Sequence, residues 1–149
     1  MATLYDANIW LALAFASHPH SRLATEHFER RDATNPATFC RATQLAFLRL
    51  LTTPAIHQAY GSGPISNALA WEKCQELLAL PQVQWLDEPS GLDELWQTFA
   101  CLNSASPKVW MDAYLAAFAI RQQVELVTLD RDFRRFEAMG LRLDLLGAT

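Results

Sequence analysis

The sequence predicts an α/β fold: a mainly parallel central sheet with helices on both faces. Short apolar strand candidates alternate with helical stretches along the chain, the order that builds parallel sheets. Leu126-Val127-Thr128-Leu129 is a continuous apolar run, as in strands buried on both faces. Aspartates stand where apolar segments stop or start. Asp6 ends Thr3-Leu4-Tyr5, Asp130 ends the 126–129 run, and Asp112 opens the stretch Ala113 to Ile120. Open α/β sheets bind ligands beyond the carboxyl ends of their strands.

Taken in order, Thr3 to Asp6 reads as the first strand and Asn8 to Ala16 as the first helix. Pro19 restarts the chain, and Ser21 to Arg31 is amphipathic, with Leu23, His27 and Arg30 at helical spacing. Thr38-Phe39-Cys40 is a short strand. Arg41 or Thr43 opens a helix through Leu51, limited by Pro54. Gly61-Ser62-Gly63-Pro64 is a loop by composition. Ser66 is placed to cap a helix through Leu80, which Pro81 stops. Val83 to Asp87 alternates as a strand, and Gly91 to Leu102 is helical. Ser106-Pro107 announces a helix that starts by Met111 and runs to about Gln123. Arg131 to Met139 is the last helix, with Phe133 and Phe136 three apart and Gly140 as its stop. Leu141 to Leu145 is placed as an edge strand.

The length fits a single domain, 1–149, with a core of its own. No apolar run reaches membrane-spanning length. Ile9 to Ala16 is too short, and Asp6 precedes it where a signal peptide carries basic residues. A cytoplasmic protein is expected. Cys40, Cys74 and Cys101 are an odd, widely spaced set, so neither a zinc knuckle nor a redox pair is indicated. The Trp residues are read as mostly core or interface, and His27 and His57 as helix-surface residues. His18-Pro19-His20 is read as a solvated loop. The net charge of −4 does not announce a phosphate-binding protein. A local patch is nevertheless available, because Arg131, Arg134 and Arg135 cluster just after Asp130.

Asp112 shares a helical stripe with Leu115, Ala116 and Ala119. It is the polar head of a buried face, and a carboxylate there needs a partner or a metal. Taken singly, these acids have ordinary explanations: a first-turn Asp complements the helix dipole, and an Asp at a strand-to-helix junction caps the helix. Gathered at one crevice they repel one another, and an oxygen-rich site of that kind suits Mg²⁺ or Mn²⁺.

The ordered set is more specific than its parts. Leu-Tyr-Asp6-Ala-Asn8 near the start, Trp-Met-Asp112-Ala-Tyr-Leu-Ala-Ala in the last third, and Val-Thr128-Leu-Asp130-Arg-Asp132-Phe some twenty residues on resemble the PIN domain. The closer resemblance is to the VapC-type toxins of bacterial toxin–antitoxin modules. The segment from Cys40 and Arg41 to Pro54 is similar to that family's third helix. The resemblance implies a three-layer α/β/α fold and a Mg²⁺- or Mn²⁺-dependent endoribonuclease. It also implies a small cognate antitoxin as partner, and a homodimer is expected, with no membrane association. Carried over by position, Asp6, Asp112 and Asp130 would be the metal acids, with Asp132 flanking the last as a further ligand. Asn8 and Thr128 would support them. Arg131, Arg134 and Arg135 are expected to hold RNA phosphates, and Trp110, beside Asp112, to stack on a base.

One position departs from the pattern. Where the family often has Glu on the third helix, this chain has Gln44, on the face with Phe47, Leu48 and Leu51. Its carbonyl oxygen can still serve a metal or its water, so Gln44 is placed with the catalytic group, but it supplies no charge. That departure supports the alternative of a non-catalytic PIN-like module binding RNA or protein. A phosphatase with Asp6 as nucleophile would want a second acid at position 8, where Asn8 stands.

Overall fold

A computed structural model describes residues 1–147 of the chain. Five parallel strands form the sheet: β1 (Thr3–Tyr5), β2 (Ala37–Phe39), β3 (Val83–Trp85), β4 (Glu125–Thr128) and β5 (Leu143–Leu145), in the order β3-β2-β1-β4-β5. Each neighbouring pair runs parallel. From β1 the chain winds outward to β2 and β3 on one side, then to β4 and β5 on the other. The winding therefore reverses between β1 and β4, and the crevice at such a switch is where α/β sheets place ligands.

The alternation of side chains along each strand divides the core in two. Tyr5, Phe39, Val83 and Val127 face α1 (Ala7–Ala14), α2 (Ser21–Glu29), α3 (Arg41–Leu51) and α5 (Asn67–Leu78). Leu4 and Leu126 face α6 (Leu92–Ala100) and α7 (Val109–Gln122). The result is three layers, as the sequence predicts, and β5 occupies the edge foreseen for residues 141–145. On the first face Trp10 stacks on Phe39 with centroids 3.9 Å apart. On the second, Ala113, Ala116, Ala117 and Ala119 are fully buried. These small residues let α7 lie close to the sheet, which carries Asp112 to the sheet's carboxyl edge.

Several expectations require correction. Pro54 does limit α3, but it also takes the first turn of a short helix α4 (Pro54–Ala59) that the sequence reading left out. Proline suits that position because its missing N–H has no partner there in any case. On α2, Leu23 is exposed, and the buried pair is Ala24 and His27. His27 is not a surface residue. Its Nδ1 meets the Tyr5 hydroxyl at 2.6 Å and its Nε2 meets Asp144 at 3.2 Å, so β1, α2 and β5 are tied together. His57 is buried too, with Nε2 against the Leu51 carbonyl. Arg131–Met139 is a 3₁₀ helix of nine residues, long for that geometry.

Candidate active site

Asp6 and Asp130 approach because β1 and β4 are neighbours that end level. Tyr5 pairs with Val127, and the Asp6 N–H donates to the Val127 carbonyl at 2.9 Å. Asp6 leaves the strand in extended conformation and caps α1, its Oδ1 accepting from the Ala7 N–H at 2.7 Å. Its Oδ2 accepts from the Thr128 hydroxyl at 2.7 Å and from the Asn8 amide at 3.4 Å. Thr128 Oγ1 accepts in turn from Asn8 Nδ2 and from the Asp130 N–H, both at 3.1 Å. Asn8 Oδ1 accepts from the Leu129 N–H at 3.2 Å. The buried Thr128 hydroxyl thus uses its one proton and both lone pairs, joining the two strand ends through one atom.

Asp130 caps the 3₁₀ helix by accepting from the Asp132 N–H at 2.9 Å, which folds Asp132 back beside it. Asp112 comes from the first turn of α7. Asp112, Asp130 and Asp132 each offer a carboxylate oxygen, and these oxygens lie within 4.8 Å of one another. Asp6 borders this trio. Burial first, then the charges of Asp130, Asp6 and Asp132, push the Asp112 carboxyl up from 3.8 to about 6, and Arg135 opposes them. Burial also raises the Asp6 carboxyl, against the hydrogen bonds from Thr128 and Ala7. Oxygen ligands under mutual repulsion fit a hard divalent cation.

The 3₁₀ period of three sorts the following residues into ridges. Asp130, Phe133 and Phe136 share one, whose phenylalanines are buried. Arg131 and Arg134 share another, which is exposed. Arg135 folds back, its Nε donating to the Asp132 carbonyl at 3.3 Å.

Gln44 points inward as expected, yet its amide is engaged elsewhere. Oε1 accepts from Arg41 at 2.5 Å and Nε2 approaches Cys74 Sγ at 3.9 Å. Among the described residues it is hydrogen-bonded to none of the four aspartates.

Trp110 is exposed and belongs to a feature the sequence did not disclose. Beside the acids lies a cavity of about 600 Å³ whose walls include Arg41, Trp85, Glu88, Trp96, Trp110 and Tyr114. Arg41 stacks its guanidinium 4.7 Å over Trp85. Tyr114 donates to Glu88 at 2.7 Å. Arg41, Glu88 and Tyr114 come from separate elements with no shared spacing, so only the fold brings them together.

Sheet order, acid placement and the three layers together define an α/β/α domain with a carboxylate crevice at its switch point. The PIN domain family model matches residues 3–139, and the chain belongs to that family. Among its relatives is Ribonuclease VapC41 of Mycobacterium tuberculosis, 45% identical over 141 residues that span 94% of this chain and 97% of that protein. Ribonuclease VapC31 of the same species is 31% identical over 137 residues, 91% of this chain and 94% of that one. Solved structures with the same fold include VapBC-1 of nontypeable Haemophilus influenzae, with a TM-score of 0.64 at 14% identity, covering 97% of this chain and 98% of that one. The sarcin-ricin loop cleaving toxin VapC20 of M. tuberculosis superposes with a TM-score of 0.62 at 16% identity, covering 93% of this chain and 95% of that one.

Proposed function

We propose that this chain is an endoribonuclease dependent on Mg²⁺ or Mn²⁺, and the toxin of a toxin–antitoxin pair. The observation that carries this reading is the gathering of the Asp112, Asp130 and Asp132 carboxylates beside Asp6 at the β1/β4 switch point. The names of the relatives support the activity. Asp6, Asp112, Asp130 and Asp132 would hold the cation, which supplies Lewis-acid polarisation of the phosphate and a water nucleophilic at neutral pH. The protein's own part is positional. Thr128 and Asn8 fix the Asp6 carboxylate, and Asp130 fixes Asp132. Arg131 and Arg134, exposed beside the acids, are suited to flanking phosphates as charge-assisted donors. Attack by water makes no use of the 2′-hydroxyl, so 5′-phosphate and 3′-hydroxyl products are expected. The test is cleavage of a pool of single-stranded RNA with Mn²⁺, with Mg²⁺ and with chelator, in the parent and Asp112→Asn. Cleavage that survives chelation, or survives Asp112→Asn unchanged, defeats the reading.

The antitoxin partner is supported by the VapBC complexes among the fold neighbours. A homodimer is supported by apolar surface on α5, where Trp71 is 52% and Leu69 37% exposed. Sedimentation over a range of concentrations tests it, and a monomer throughout counts against it. The alternative of a non-catalytic PIN-like RNA- or protein-binding module leaned on Gln44 in place of an acid. With its amide engaged by Arg41 and Cys74, Gln44 does not favour that alternative.

A further inference from the structure

We propose that the aromatic cavity beside the acids is a guanine subsite, which seats one unpaired guanine of the RNA with its Watson–Crick edge on Glu88. This rests on the ribonuclease reading above.

The acids and part of the cavity lining share the carboxyl edge of the sheet. The acids stand beyond the carboxyl ends of β1 and β4. Arg41 follows β2, and Leu86 to Glu88 follow β3. At a strand spacing of about 4.8 Å, the cavity begins roughly one or two strands along the same sheet edge. Helix α7 joins the two places: Trp110 and Met111 line the cavity, and Asp112 next to them belongs to the acids. An RNA strand with a phosphate at the acids can reach the cavity with an adjoining base.

The lining is rich in aromatic rings: Trp85, Trp96, Trp110 and Tyr114. The indole N–H of Trp96 donates to the Trp110 carbonyl at 2.9 Å, and that of Trp85 to Asp87 at 3.0 Å. Both indole donors are therefore already satisfied, and the two rings line the cavity as aromatic surface, Trp85 with Arg41 stacked over it. Trp110 is 53% exposed and stands edge-on to Trp96 at 6.3 Å, an uncovered aromatic surface suited to a π-system.

The polar groups that remain choose among the bases. Glu88 Oε1 accepts one hydrogen bond from Tyr114, leaving carboxylate lone pairs that can only accept. Arg41 has guanidinium N–H groups beyond the one directed at Gln44. Guanine alone offers two adjacent donors, N1–H and the N2 amine, to a single carboxylate, together with O6 and N7 acceptors for a guanidinium. Adenine and cytosine offer only one amine on that edge, and uracil would turn carbonyls toward Glu88. An acidic group, phosphate or peptide carboxylate, is opposed by Asp87 and Glu88.

The experiment begins by mapping cleavage sites in a randomised single-stranded RNA. Fluorescent RNAs then follow that differ at one position only, carrying guanine, inosine, adenine or uracil. The parent is expected to require guanine at one fixed offset from the cut. Inosine, which lacks the N2 amine, is expected to lower kcat/KM by about tenfold or more, since a hydrogen-bonding site rejects analogues that leave it unpaired. Glu88→Gln should erase the preference for guanine and favour adenine, whose N6 and N1 match a carboxamide. Trp110→Ala should raise KM for each RNA by about tenfold while keeping the ranking of bases. Cleavage without base preference, or an unchanged preference in Glu88→Gln, overturns the subsite and leaves the ribonuclease reading standing. Variants that cut RNA normally but bind a cognate antitoxin less tightly assign the cavity to a protein and also overturn it. If the parent cuts no RNA, the ribonuclease reading fails, and fluorescence anisotropy with the guanine and adenine RNAs decides the cavity separately: equal affinities overturn it.

Discussion

Asp112 carries much of the electrostatic tension in the crevice. Its carboxyl is raised from 3.8 to about 6 by burial and by its acidic neighbours. Between those values the folded protein holds a proton that the unfolded chain has released, so this group disfavours folding progressively as pH rises through that window. Without divalent cation, Asp112→Asn is therefore expected to melt above the parent at pH 7.5, with the gap closing toward pH 4. Equal melting at both pH values would contradict this. Thr128 acts in the opposite sense. Thr128→Val removes a buried hydroxyl that satisfies Asp6, Asn8 and the Asp130 N–H together. A loss of about 1–3 kcal/mol in urea unfolding is expected, the usual penalty for leaving buried polar groups unpaired. Gln44 faces Arg41 and Cys74, so Gln44→Glu should gain no more thermal stabilisation from Mn²⁺ than the parent does. For a cation that binds only the native state, that stabilisation is about 2.7 kcal/mol at a hundredfold Kd. A larger response in Gln44→Glu would return this residue to the metal site.

Among the elements, α7 and the 3₁₀ helix decide where the chemistry sits. The fully buried alanines of α7 set its distance from the sheet. Ala116→Leu is expected to overpack that contact at a cost of about 1–3 kcal/mol and to displace Asp112 with it. Chemical denaturation and RNA cleavage should both register the change, and an unaffected protein would show that the packing is looser than described. In the 3₁₀ helix, the three-residue period puts Arg131 and Arg134 on one exposed ridge. Each arginine replaced by alanine should lower the slope of log affinity for RNA against log salt by about one phosphate contact. A slope that does not move would remove these residues from the RNA surface. At the sheet edge, the hydrogen bond from His27 lowers the Asp144 carboxyl. Stability gained from a depressed carboxyl is present above its unfolded value and disappears as pH falls through the folded one. His27→Ala is thus expected to move acid unfolding to higher pH.

At the scale of the whole molecule, the reversal of winding between β1 and β4 brings together acids that lie more than a hundred residues apart in sequence. Much of this is legible in the sequence. Alternating apolar runs gave the strands and helices, because burial on a sheet face or a helix stripe imposes its period locally. Asp6, Asp112 and Asp130 stood out because each interrupts such a run at its end, and Thr128 and Asn8 could be read beside them. The short α4 was missed because Pro54 serves equally as a stop and as a first turn. His27 and His57 were misplaced because the spacing of a helix does not say which polar residue finds a buried partner. The orientation of the Gln44 amide depended on Arg41 and Cys74, and the aromatic cavity on residues drawn from α3, α6, α7 and the turn after β3. The sequence by itself determined the class of fold and the acids at its strand ends, since hydrophobic periodicity and chain punctuation are local. Only the tertiary structure decided which side chains share a pocket and which amide or imidazole is satisfied by a neighbour, because those contacts arise between distant segments and carry no common spacing along the chain.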